Sequence, residues 1–449
     1  MTTRRRVAGR GQAVCVDVGS TFTKAALVDL ADGALLGTAT HATTLGSDVM
    51  DGVDAVRAEL TAQSATTLAC SSAGGGLRLA VVGYERVVTA EAGHRVGLSA
   101  GARVVHVAAG PMGDDDLDAL LVARPDVVLL VGGTDGGNAE ILRHNAGVMA
   151  ARRLTVPVVL AGNLDARDDV AAALTAAGVP VTATANVLPE IGRLDPVPAR
   201  LAIREVFIRH VIGGKGLSRR ADFPAMVRAA TPDAVLAGVE LLADGFGETD
   251  GAGDVLVVDV GGATTDVYSV VTPQGEDAVL RKEVVEVMWR SRTVEGDLGV
   301  RWNAEGVVAA AVAERLVGAT EETSLRMAAK ARAADPAYLP VDDQGRDDDA
   351  RLAGLALTVA LRRHARGGKD LREVALVVGS GGVLRHATPA RAATALAPAT
   401  GDLGGGWAVP EAARAVVDTR YVLAAAGLLA DDHPEVGAAL LSGALLRHG

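Results

Sequence analysis

The stretch Asp254–Val271, DVLVVDVGGATTDVYSVV, predicts two β-strands that are joined by a glycine turn. Val255–Val258 is an apolar run typical of a buried strand, and an alternating pattern resumes after Gly261 and Gly262. Because glycine has no side chain, such a turn lets a phosphate group approach the backbone N–H groups. The stretch therefore predicts a strand–turn–strand unit that contains a candidate anion-binding turn.

Polar residues flank this turn. Asp259 ends the first strand, and Ala263, Thr264, Thr265 and Asp266 follow the two glycines. Carboxylates and hydroxyl groups placed in this way suit a phosphate and the metal ion bound to it. An ordinary β-hairpin with a glycine turn would show the same pattern, so this stretch alone leaves both interpretations open.

A second copy of the pattern lies near the N-terminus, in Val14–Asp29, VCVDVGSTFTKAALVD. An apolar strand is followed by Asp17, one residue, and then Gly19-Ser20-Thr21, and a second strand carries Lys24. Two such units about 240 residues apart predict two similar halves, each with a phosphate-binding turn. A single nucleotide could be held in the cleft between them.

A third glycine turn follows the apolar run Val374–Val378. It consists of Gly379, Ser380, Gly381 and Gly382. Glycines at such a turn let a flat ring system lie directly on the backbone. We expect the adenosine part of a nucleotide to lie there.

The composition favours a two-domain α/β protein. The chain has 449 residues, which exceeds the size of one typical hydrophobic core. Hydrophobic residues make up 49% but aromatic residues only 2%, so Val-rich strands and Ala-rich helices must build the cores. With 44 basic and 55 acidic residues the net charge is −11, which argues against a general nucleic-acid-binding protein.

The remaining bulk features predict a soluble, cytoplasmic protein. No uninterrupted run of 18 apolar residues is present, so no membrane span is expected. Cys15 and Cys70 both lie in apolar, strand-like contexts, and we expect buried free thiols there rather than a disulfide or a metal site.

The order of elements excludes two common nucleotide-binding motifs. Up to Ser71 the predicted pattern is β-β-β-α-β, and Gly19 leads into a strand rather than into a helix. The dinucleotide fingerprint requires a helix at that point, so we reject it. The Walker A pattern does not occur at any of the three turns.

Residues from about Thr89 to Asn186 predict an inserted α/β subdomain with regular strand–helix alternation. Four parallel strands are expected, at Val104–Ala108, Val127–Val131, Val156–Leu160 and Val179–Thr182. The second of them ends in a glycine-rich loop that contains Asp135. This carboxylate either caps a helix or faces the nucleotide cleft.

The second half contains less regular predictions. The patterns predict a helix over Pro224–Leu242, a strand over Val279–Val287, a polar loop over Thr293–Arg301, a charged irregular region over Ala319–Asp349 and a late helix over Asp418–Ala430. The acidic run Asp347–Asp349 is expected to lie in a solvated loop.

The three turns, in this order, resemble those of the actin-like ATPase superfamily, which includes sugar kinases, Hsp70 and actin. The resemblance implies an α/β fold with two ribonuclease-H-like lobes and with ATP and Mg²⁺ between them. It places the first lobe at 12–215, including the inserted subdomain and completed by helix 418–430, and the second at 216–417. It also implies that Asp17 and Asp259 orient the magnesium ion through water.

Longer stretches narrow this resemblance to the MutL/GlmL family, the accessory protein encoded with glutamate mutase. They are ACSSAGGGLRLAVVG (69–83), LLVGGTDGGN (129–138), ANVLP (185–189), DVGGATTDVYS (259–269), RTVEGDLGVR (292–301) and a helix with Asp-x-x-Tyr at its start (418–429). The resemblance covers nearly the whole chain. It implies an ATP-dependent reactivating or chaperone-like factor for an adenosylcobalamin-dependent mutase, such as glutamate (methylaspartate) mutase.

The resemblance also implies roles for individual residues. The N–H groups at Gly19–Thr21 and Gly261–Ala263 would hold the β- and γ-phosphates, and the nearby serine and threonine hydroxyls would add hydrogen bonds. Lys24 would reach a phosphate, or it is an ordinary surface lysine. The candidates for activating the attacking water are Asp266 and Asp135.

Other functions share the same turns. A small-molecule kinase would use the same ATP cleft together with an acceptor pocket, and a non-catalytic scaffold would bind ATP without hydrolysing it. Activators of 2-hydroxyacyl-CoA dehydratases begin with a similar loop but hold an iron–sulfur cluster, and Cys15 and Cys70 lack cluster spacing. Glu295 and Asp297 either line the cleft or cap the next helix.

Overall fold

The computed structural model describes residues 11–73, 76–85, 89–212, 216–272, 290–366, 369–402 and 406–446. They form two compact units. Unit 1 contains the described residues up to Ala237 and the segment Ala424–Val436. Unit 2 contains Gly238–Thr272, the described residues from 290 to Leu423, and those from Gly437 onward.

The strands are β1 Gln12–Val18, β2 Phe22–Asp29, β3 Leu35–Ala42, β4 Thr66–Ser71, β5 Leu77–Gly83, β6 Ala102–Ala109, β7 Val127–Leu130, β8 Val158–Leu160, β9 Val181–Ala183, β10 Val227–Ala230, β11 Gly245–Phe246, β12 Thr249–Asp250, β13 Val255–Val260, β14 Thr265–Val270, β15 Arg290–Glu295, β16 Leu376–Ser380 and β17 Arg414–Val417. The α-helices are Val49–Glu59, Thr89–Ser99, Asp114–Val122, Glu140–Ala151, Leu164–Ala176, Val197–Val206, Asp222–Met226, Thr231–Asp244, Ala304–Ala313, Ala319–Ala334, Asp343–Arg366, Gly382–His386, Pro389–Leu396, Val422–Leu429 and Pro434–Leu441. Phe207–Ile212 and Ser442–Leu446 are π-helical, and Ala397–Thr400 is a 3₁₀ turn.

Each unit contains a five-stranded sheet of the same topology. In unit 1 the order is β3-β2-β1-β4-β10, in which the first three strands are antiparallel and β4 and β10 run parallel to β1. In unit 2 the order is β15-β14-β13-β16-β17, with the same strand directions. This is the ribonuclease-H-like arrangement that was expected, and the predicted actin-like α/β fold is confirmed.

The cores follow from the alternation of the strands. Val14, Val16 and Val18 of β1 belong to the core of unit 1, whereas Leu256 and Val258 of β13 belong to that of unit 2. The helix Asp343–Arg366 packs against β13 and β14 through Leu352, Leu355, Val359 and other apolar residues. A fully buried valine or leucine stabilises the fold by about 1.5–3 kcal/mol. This packing therefore holds β1 and β13, which lead into the first and second glycine turns, firmly in place.

A third sheet, in unit 1, is entirely parallel, with the order β6-β5-β7-β8-β9. The strand of this sheet that comes first in the chain, β5, lies before the range Thr89 to Asn186 that was predicted for the α/β subdomain. One face of this sheet, including Leu79 and Val81, shares the core of the first sheet, and the other face packs on the helices that connect its strands.

Several sequence predictions were wrong in detail. The predicted helix Pro224–Leu242 is interrupted by β10, because Val227–Ala230 pairs with β4 and completes the first sheet. The predicted loop Thr293–Arg301 begins as strand, since its first three residues belong to β15. The region Ala319–Asp349 contains the helix Ala319–Ala334 and the start of the next helix, so it is mostly regular.

The acidic run Asp347–Asp349 is not a loop. It lies in the helix Asp343–Arg366, and its last member, Asp349, is buried. The carboxylate of Asp349 receives hydrogen bonds from Arg301 Nη2 (2.7 Å) and Arg332 Nε (2.6 Å). Composition alone could not distinguish this residue from its exposed neighbours, because burial depends on which partners the tertiary structure supplies.

Three other sequence predictions concern the cysteines, membrane-spanning helices and one strand of the second half. Cys15 and Cys70 are buried free thiols, as expected, and burial raises the pKa of Cys15 to about 12. Within the described ranges, every helix is too short or too polar to cross a lipid bilayer. The predicted strand Val279–Val287 falls outside the described residues.

Candidate functional site

The first glycine turn is closed by one short backbone contact. Gly19 N donates to Phe22 O at 3.1 Å, which brings the ends of β1 and β2 together. A Cβ atom at position 19 would lie 2.7 Å from the same oxygen, so only glycine fits. The N–H groups of Ser20 and Thr21 have no hydrogen-bond partner among the described residues.

Thr43 fixes the orientation of this turn. Its Oγ1 donates to Gly19 O (2.8 Å), and its N–H donates to Thr21 O (2.9 Å). In a trans peptide the C=O and N–H groups point in opposite directions. Because Thr43 holds the Gly19 carbonyl on one side, the Ser20 N–H is directed to the other side, where an anion could bind it.

The second turn has the same geometry. Gly261 N donates to Thr264 O at 2.9 Å, and a Cβ atom at position 261 would lie 2.8 Å from that oxygen. The next two N–H groups, of Gly262 and Ala263, again have no partner among the described residues. Two sequences with little identity therefore form the same turn, because both place glycine where the backbone closes.

The loop Gly296–Asn303 supports the second turn from behind. Its backbone N–H groups and one side-chain amide donate hydrogen bonds to the carbonyls of three successive turn residues. Val300 N donates to Gly261 O (3.0 Å), and Arg301 N and Trp302 N donate to Gly262 O (2.8 and 2.9 Å). Asn303 Nδ2 donates to Ala263 O (2.7 Å). Asn303 Nδ2 also donates to Gly296 O at 2.8 Å, which ties the loop to itself. Because the carbonyls face this loop, the N–H groups of Gly262 and Ala263 face away from it.

Asp17 is held by three neighbours. Its Oδ1 accepts a hydrogen bond from Thr231 Oγ1 at 2.6 Å and lies 3.8 Å from Cys70 Sγ. Its Oδ2 lies 3.4 Å from Lys24 Nζ, directly opposite on β2. Lys24 thus neutralises Asp17, and its side chain remains 26% exposed at the end of the strand.

Asp259 faces another carboxylate. It is the direct partner of Asp266 on β14, so the two side chains share one face of the sheet. Asp266 Oδ2 accepts from Arg292 Nη2 at 3.2 Å, whereas Asp266 Oδ1 is buried without a hydrogen-bond partner among the described residues. Like charges that face each other destabilise a strand pair, and a cation near them relieves this repulsion.

The third glycine turn adjoins Asp259. Ser380 lies opposite Asp259 on the parallel strand β16, and it is buried. Gly381 has a φ of +104°, and a Cβ atom there would lie 2.2 Å from Val260 O and 3.1 Å from Asp259 Oδ1. Gly382 begins a short helix. Within unit 2 the structure therefore brings the second and third turns together at one end of the sheet.

Gly379 serves packing. It lies within β16, and a Cβ atom there would come within 2.7 Å of Leu396 and 2.9 Å of Leu384. Its carbonyl accepts from Asp418 N at 2.9 Å. Burial raises the pKa of Asp418, whose carboxylate also accepts from the N–H groups of Val422 and Leu423 and so caps that helix.

Asp135 lies in the third sheet's loop region, not in either of the five-stranded sheets with the glycine turns. Its Oδ1 accepts from Leu164 N and from Asn186 Nδ2, both at 2.9 Å. Asp135 thus helps to cap the helix Leu164–Ala176. Both of these hydrogen bonds lie within the α/β subdomain.

Two hydroxyl groups are already used by the protein. Thr265 is fully buried and its Oγ1 donates to Leu298 O at 2.6 Å. Ser20 Oγ donates to Ser72 O at 3.1 Å. Thr21 is exposed and Thr264 is half-buried, so these two retain access to a ligand.

Glu295 and Asp297 share one arginine. Arg363 Nη1 lies 2.8 Å from Glu295 Oε2 and 2.7 Å from Asp297 Oδ1. Burial raises the pKa of Glu295, whereas the hydrogen bond from Arg363 lowers the pKa of Asp297. Their contacts therefore anchor the start of the loop Gly296–Asn303 to the helix Asp343–Arg366.

Sequence reasoning missed four residues that position the site: Thr43, Thr231, Arg292 and Asn303. Each lies outside the glycine motifs and reaches them only through folding. No local pattern marks them, because a threonine, arginine or asparagine of this kind occurs throughout the chain.

Among the described residues no group of three or more His, Cys, Asp or Glu side chains could enclose a metal ion. A metal held by only one or two carboxylates and otherwise by water fits this donor set.

Comparisons with known proteins agree with the motifs. Residues 13–445 match the family model described as MutL protein. The chain is 34% identical over 445 residues to Protein MutL of Clostridium tetanomorphum, covering 94% of this chain and 96% of that protein.

Solved structures show lower similarity. The nucleotide-free structure of an acetone carboxylase has a TM-score of 0.36 and 16% identity, covering 83% of this chain and 65% of that one. The ethanolamine utilization protein EutJ from Carboxydothermus hydrogenoformans has a TM-score of 0.30 and 11% identity, covering 96% and 89%. The fold assignment rests instead on the strand order of the two sheets.

Since the family match spans nearly the whole chain and its glycine turns form as the motifs predict, the chain belongs to the MutL family, which is associated with glutamate mutase.

Proposed function

We propose that the protein binds Mg-ATP through its glycine turns, hydrolyses it, and uses the cycle to reactivate an adenosylcobalamin-dependent mutase such as glutamate mutase. The observation that carries this is the identical construction of the turns at Gly19 and Gly261. Each offers two successive N–H groups, with the carbonyl of the turn glycine held from behind. Successive N–H groups that face one side form a concave anion site, which suits the β- and γ-phosphates.

The turns differ in charge, and the difference supports separate roles. In the first turn, Lys24 neutralises Asp17, whose Oδ1 is occupied by Thr231. In the second, Asp259 and Asp266 face each other. Mg²⁺ prefers carboxylate oxygens and keeps several of its waters, so its water shell fits best at Asp259. Bound there, Mg²⁺ would neutralise phosphate charge, and Asp17 would place Lys24 beside the phosphates.

Asp266 is our candidate for activating water. Its Oδ1 is buried and has no protein partner among the described residues, so a water molecule admitted together with the nucleotide would find an unused acceptor there. Asp266 would take a proton as the water oxygen bonds to the γ-phosphorus, and the bond from that phosphorus to the bridging oxygen of ADP would break. The proton then passes to solvent with the released phosphate. Asp135 is the weaker candidate, because its Oδ1 already accepts hydrogen bonds from Leu164 N and Asn186 Nδ2 within the α/β subdomain.

Gly381 supports the placement of the nucleoside. Since a Cβ atom at this position would collide with Val260 O, the backbone of the third turn lies directly against the strand that carries Asp259. A ligand whose phosphates bind the second turn would find the third turn beside it. We propose that adenosine lies on Gly381 and Gly382, while Gly379 and Ser380 shape the strand beneath.

The α/β subdomain is our candidate for contacting the mutase. Deleting it would not be a clean test, because Leu79 and Val81 share the core of the first sheet. A single surface change is better suited. Val122 is 81% exposed at the end of the helix Asp114–Val122 in this subdomain, and Val122→Glu adds a charge there without touching a core.

The decisive experiment combines an ATPase assay with a reactivation assay. Mutase inactivated during turnover is incubated with the protein and with ATP, ADP or no nucleotide, and the recovery of mutase activity and of phosphate release is measured. Recovery that requires ATP supports the proposal. Phosphate transfer to a small molecule would indicate a kinase instead, and ATP binding without phosphate release would indicate a nucleotide-gated scaffold.

Asn303→Ala is expected to raise the Kd for ATP about 3- to 10-fold, because one hydrogen bond to the second turn and one within its supporting loop are lost. The measurement is a calorimetric titration with ATP and Mg²⁺. Asn138→Ala is a matched control, since it removes the hydrogen bond from Glu140 N to a helix-capping asparagine in the α/β subdomain. Equal effects of the two changes would contradict the assigned role of Asn303.

A further inference from the structure

Arg292 is a buried cation next to the second turn. It is 6% exposed and lies on β15 directly opposite Tyr268, with its guanidinium 5.7 Å from the ring centre. Its Nη2 donates to Asp266 Oδ2 at 3.2 Å. Its Nε and Nη1 are buried and have no hydrogen-bond partner among the described residues.

This placement is costly for stability. A guanidinium does not lose its proton in a protein, so Arg292 stays charged although it is buried. Two unsatisfied donors add to the cost of removing it from water. Packing alone would be better served by an apolar residue of similar volume. The geometry therefore indicates a role of Arg292 towards Asp266, whose carboxylate accepts a hydrogen bond from its Nη2.

Comparison of the two turns shows what this role is. In the first turn the residue seven positions after the aspartate is Lys24, which pairs with Asp17 directly. In the second turn the equivalent residue is Asp266, and the cation comes from the next strand. Arg292 binds one oxygen of Asp266 from the side of β15, and Oδ1 has no donor within the part of the chain that the structure describes.

Building on the nucleotide site proposed above, we propose that Arg292 is a positioning residue that acts through Asp266. It holds Oδ2 so that Oδ1 has one fixed direction and receives the water. Arg292 itself contacts neither nucleotide nor water during hydrolysis. Removing it should therefore lower kcat with little change in KM, since the phosphate turns remain intact.

The test is a double-mutant cycle on kcat with Arg292→Met, Asp266→Asn and the variant with both changes. Arg292→Met should lower kcat about 10- to 100-fold, as is usual when the partner of a functional group is removed. In the Asp266→Asn background the same change should have almost no further effect, because residues that act as a unit are not additive. The proposal would be overturned if the kcat losses of the two single variants multiplied in the double variant. It would also be overturned if Arg292→Met raised KM instead of lowering kcat.

A second readout needs no nucleotide. Arg292→Met leaves Asp266 buried without its cation, so it should unfold at a lower urea concentration than the double variant, which has lost both charges. If Arg292→Met does not fold, Arg292→Lys keeps the charge and should show a reduced kcat with an unchanged KM. Equal midpoints of single and double variant would overturn the proposal.

Arg290→Met provides the matched control. Arg290 lies on the same strand and pairs with Asp244 at 2.7 Å, but its side chain is 46% exposed. Its removal should leave kcat unchanged, and a loss equal to that of Arg292→Met would overturn the proposal. Absence of ATP turnover in the wild-type protein would overturn the proposed function together with the role of Arg292. Normal wild-type turnover that Arg292→Met leaves unchanged would overturn the role of Arg292 alone, so the two failures can be distinguished.

Discussion

Asp349→Ala is expected to lower the free energy of unfolding of unit 2 by about 3–5 kcal/mol. Asp349 is buried, and Arg301 and Arg332 both donate to its carboxylate, at 2.7 and 2.6 Å. Arg332 is itself 2% exposed. Without this carboxylate, the buried guanidinium of Arg332 would keep only the more distant carboxylate of Asp348, at 4.0 Å, and losing the close partner costs more than the net contribution of the pair.

Tryptophan fluorescence during urea unfolding measures this effect. Trp302 and Trp407 both belong to unit 2, so their signal follows that unit. Asp347→Ala is the matched control on the same helix, because Asp347 is 58% exposed and pairs with Arg391 at the surface. We expect a far smaller change for this exposed pair, because water screens the attraction between its charges. A similar small change for Asp349→Ala would contradict the assigned importance of the buried cluster.

The same variant should also disturb the second turn. Arg301 joins the two features, since its side chain binds Asp349 and its N–H donates to Gly262 O at 2.8 Å. When Asp349 is lost, the loop Gly296–Asn303 loses one of its anchors. Stability and nucleotide binding in unit 2 are therefore coupled through a residue that belongs to neither glycine motif.

Asp259→Asn is expected to lower ATP turnover by about 10²–10⁴-fold while the fold remains intact. The amide has nearly the same shape as the carboxylate, but it carries no charge with which to orient hydrated Mg²⁺. Because Asp259 is half-buried near the end of β13 and its apolar neighbours on the strand form the core, loss of the charge should not unfold unit 2. Steady-state phosphate release at saturating ATP and Mg²⁺ measures the effect.

Asp254→Asn is the control for this change. Asp254 lies just before the same strand, at its other end, and accepts a hydrogen bond from Thr272 N at 2.9 Å. Its replacement should leave turnover unchanged. If both variants were equally active, or both equally impaired, Asp259 would have no special role in the reaction.

The repeated part of the fold could be predicted from local patterns. Apolar runs followed by Asp-x-Gly and a second strand predicted β1, β2, β13 and β14 in both halves, because strand periodicity and glycine turns depend on neighbouring residues. The parallel strands of the α/β subdomain followed from the same kind of pattern. Val227–Ala230 was not predictable in this way, since an Ala-rich segment becomes a strand only when β4 offers it hydrogen bonds.

The sequence by itself determined the three turns, their order and the family, because glycine is required wherever the backbone closes on itself or on a neighbouring strand. Only the tertiary structure decided which charges surround those turns. Asp17 has Lys24 and Thr231, Asp266 has Arg292, and Asp349 is buried in an acidic run that looked solvated. Lys24 lies only 7 residues from Asp17, but Thr231 lies 214 residues from Asp17 and Arg292 lies 26 residues from Asp266. Electrostatic energy depends on distance and burial, which no local pattern encodes.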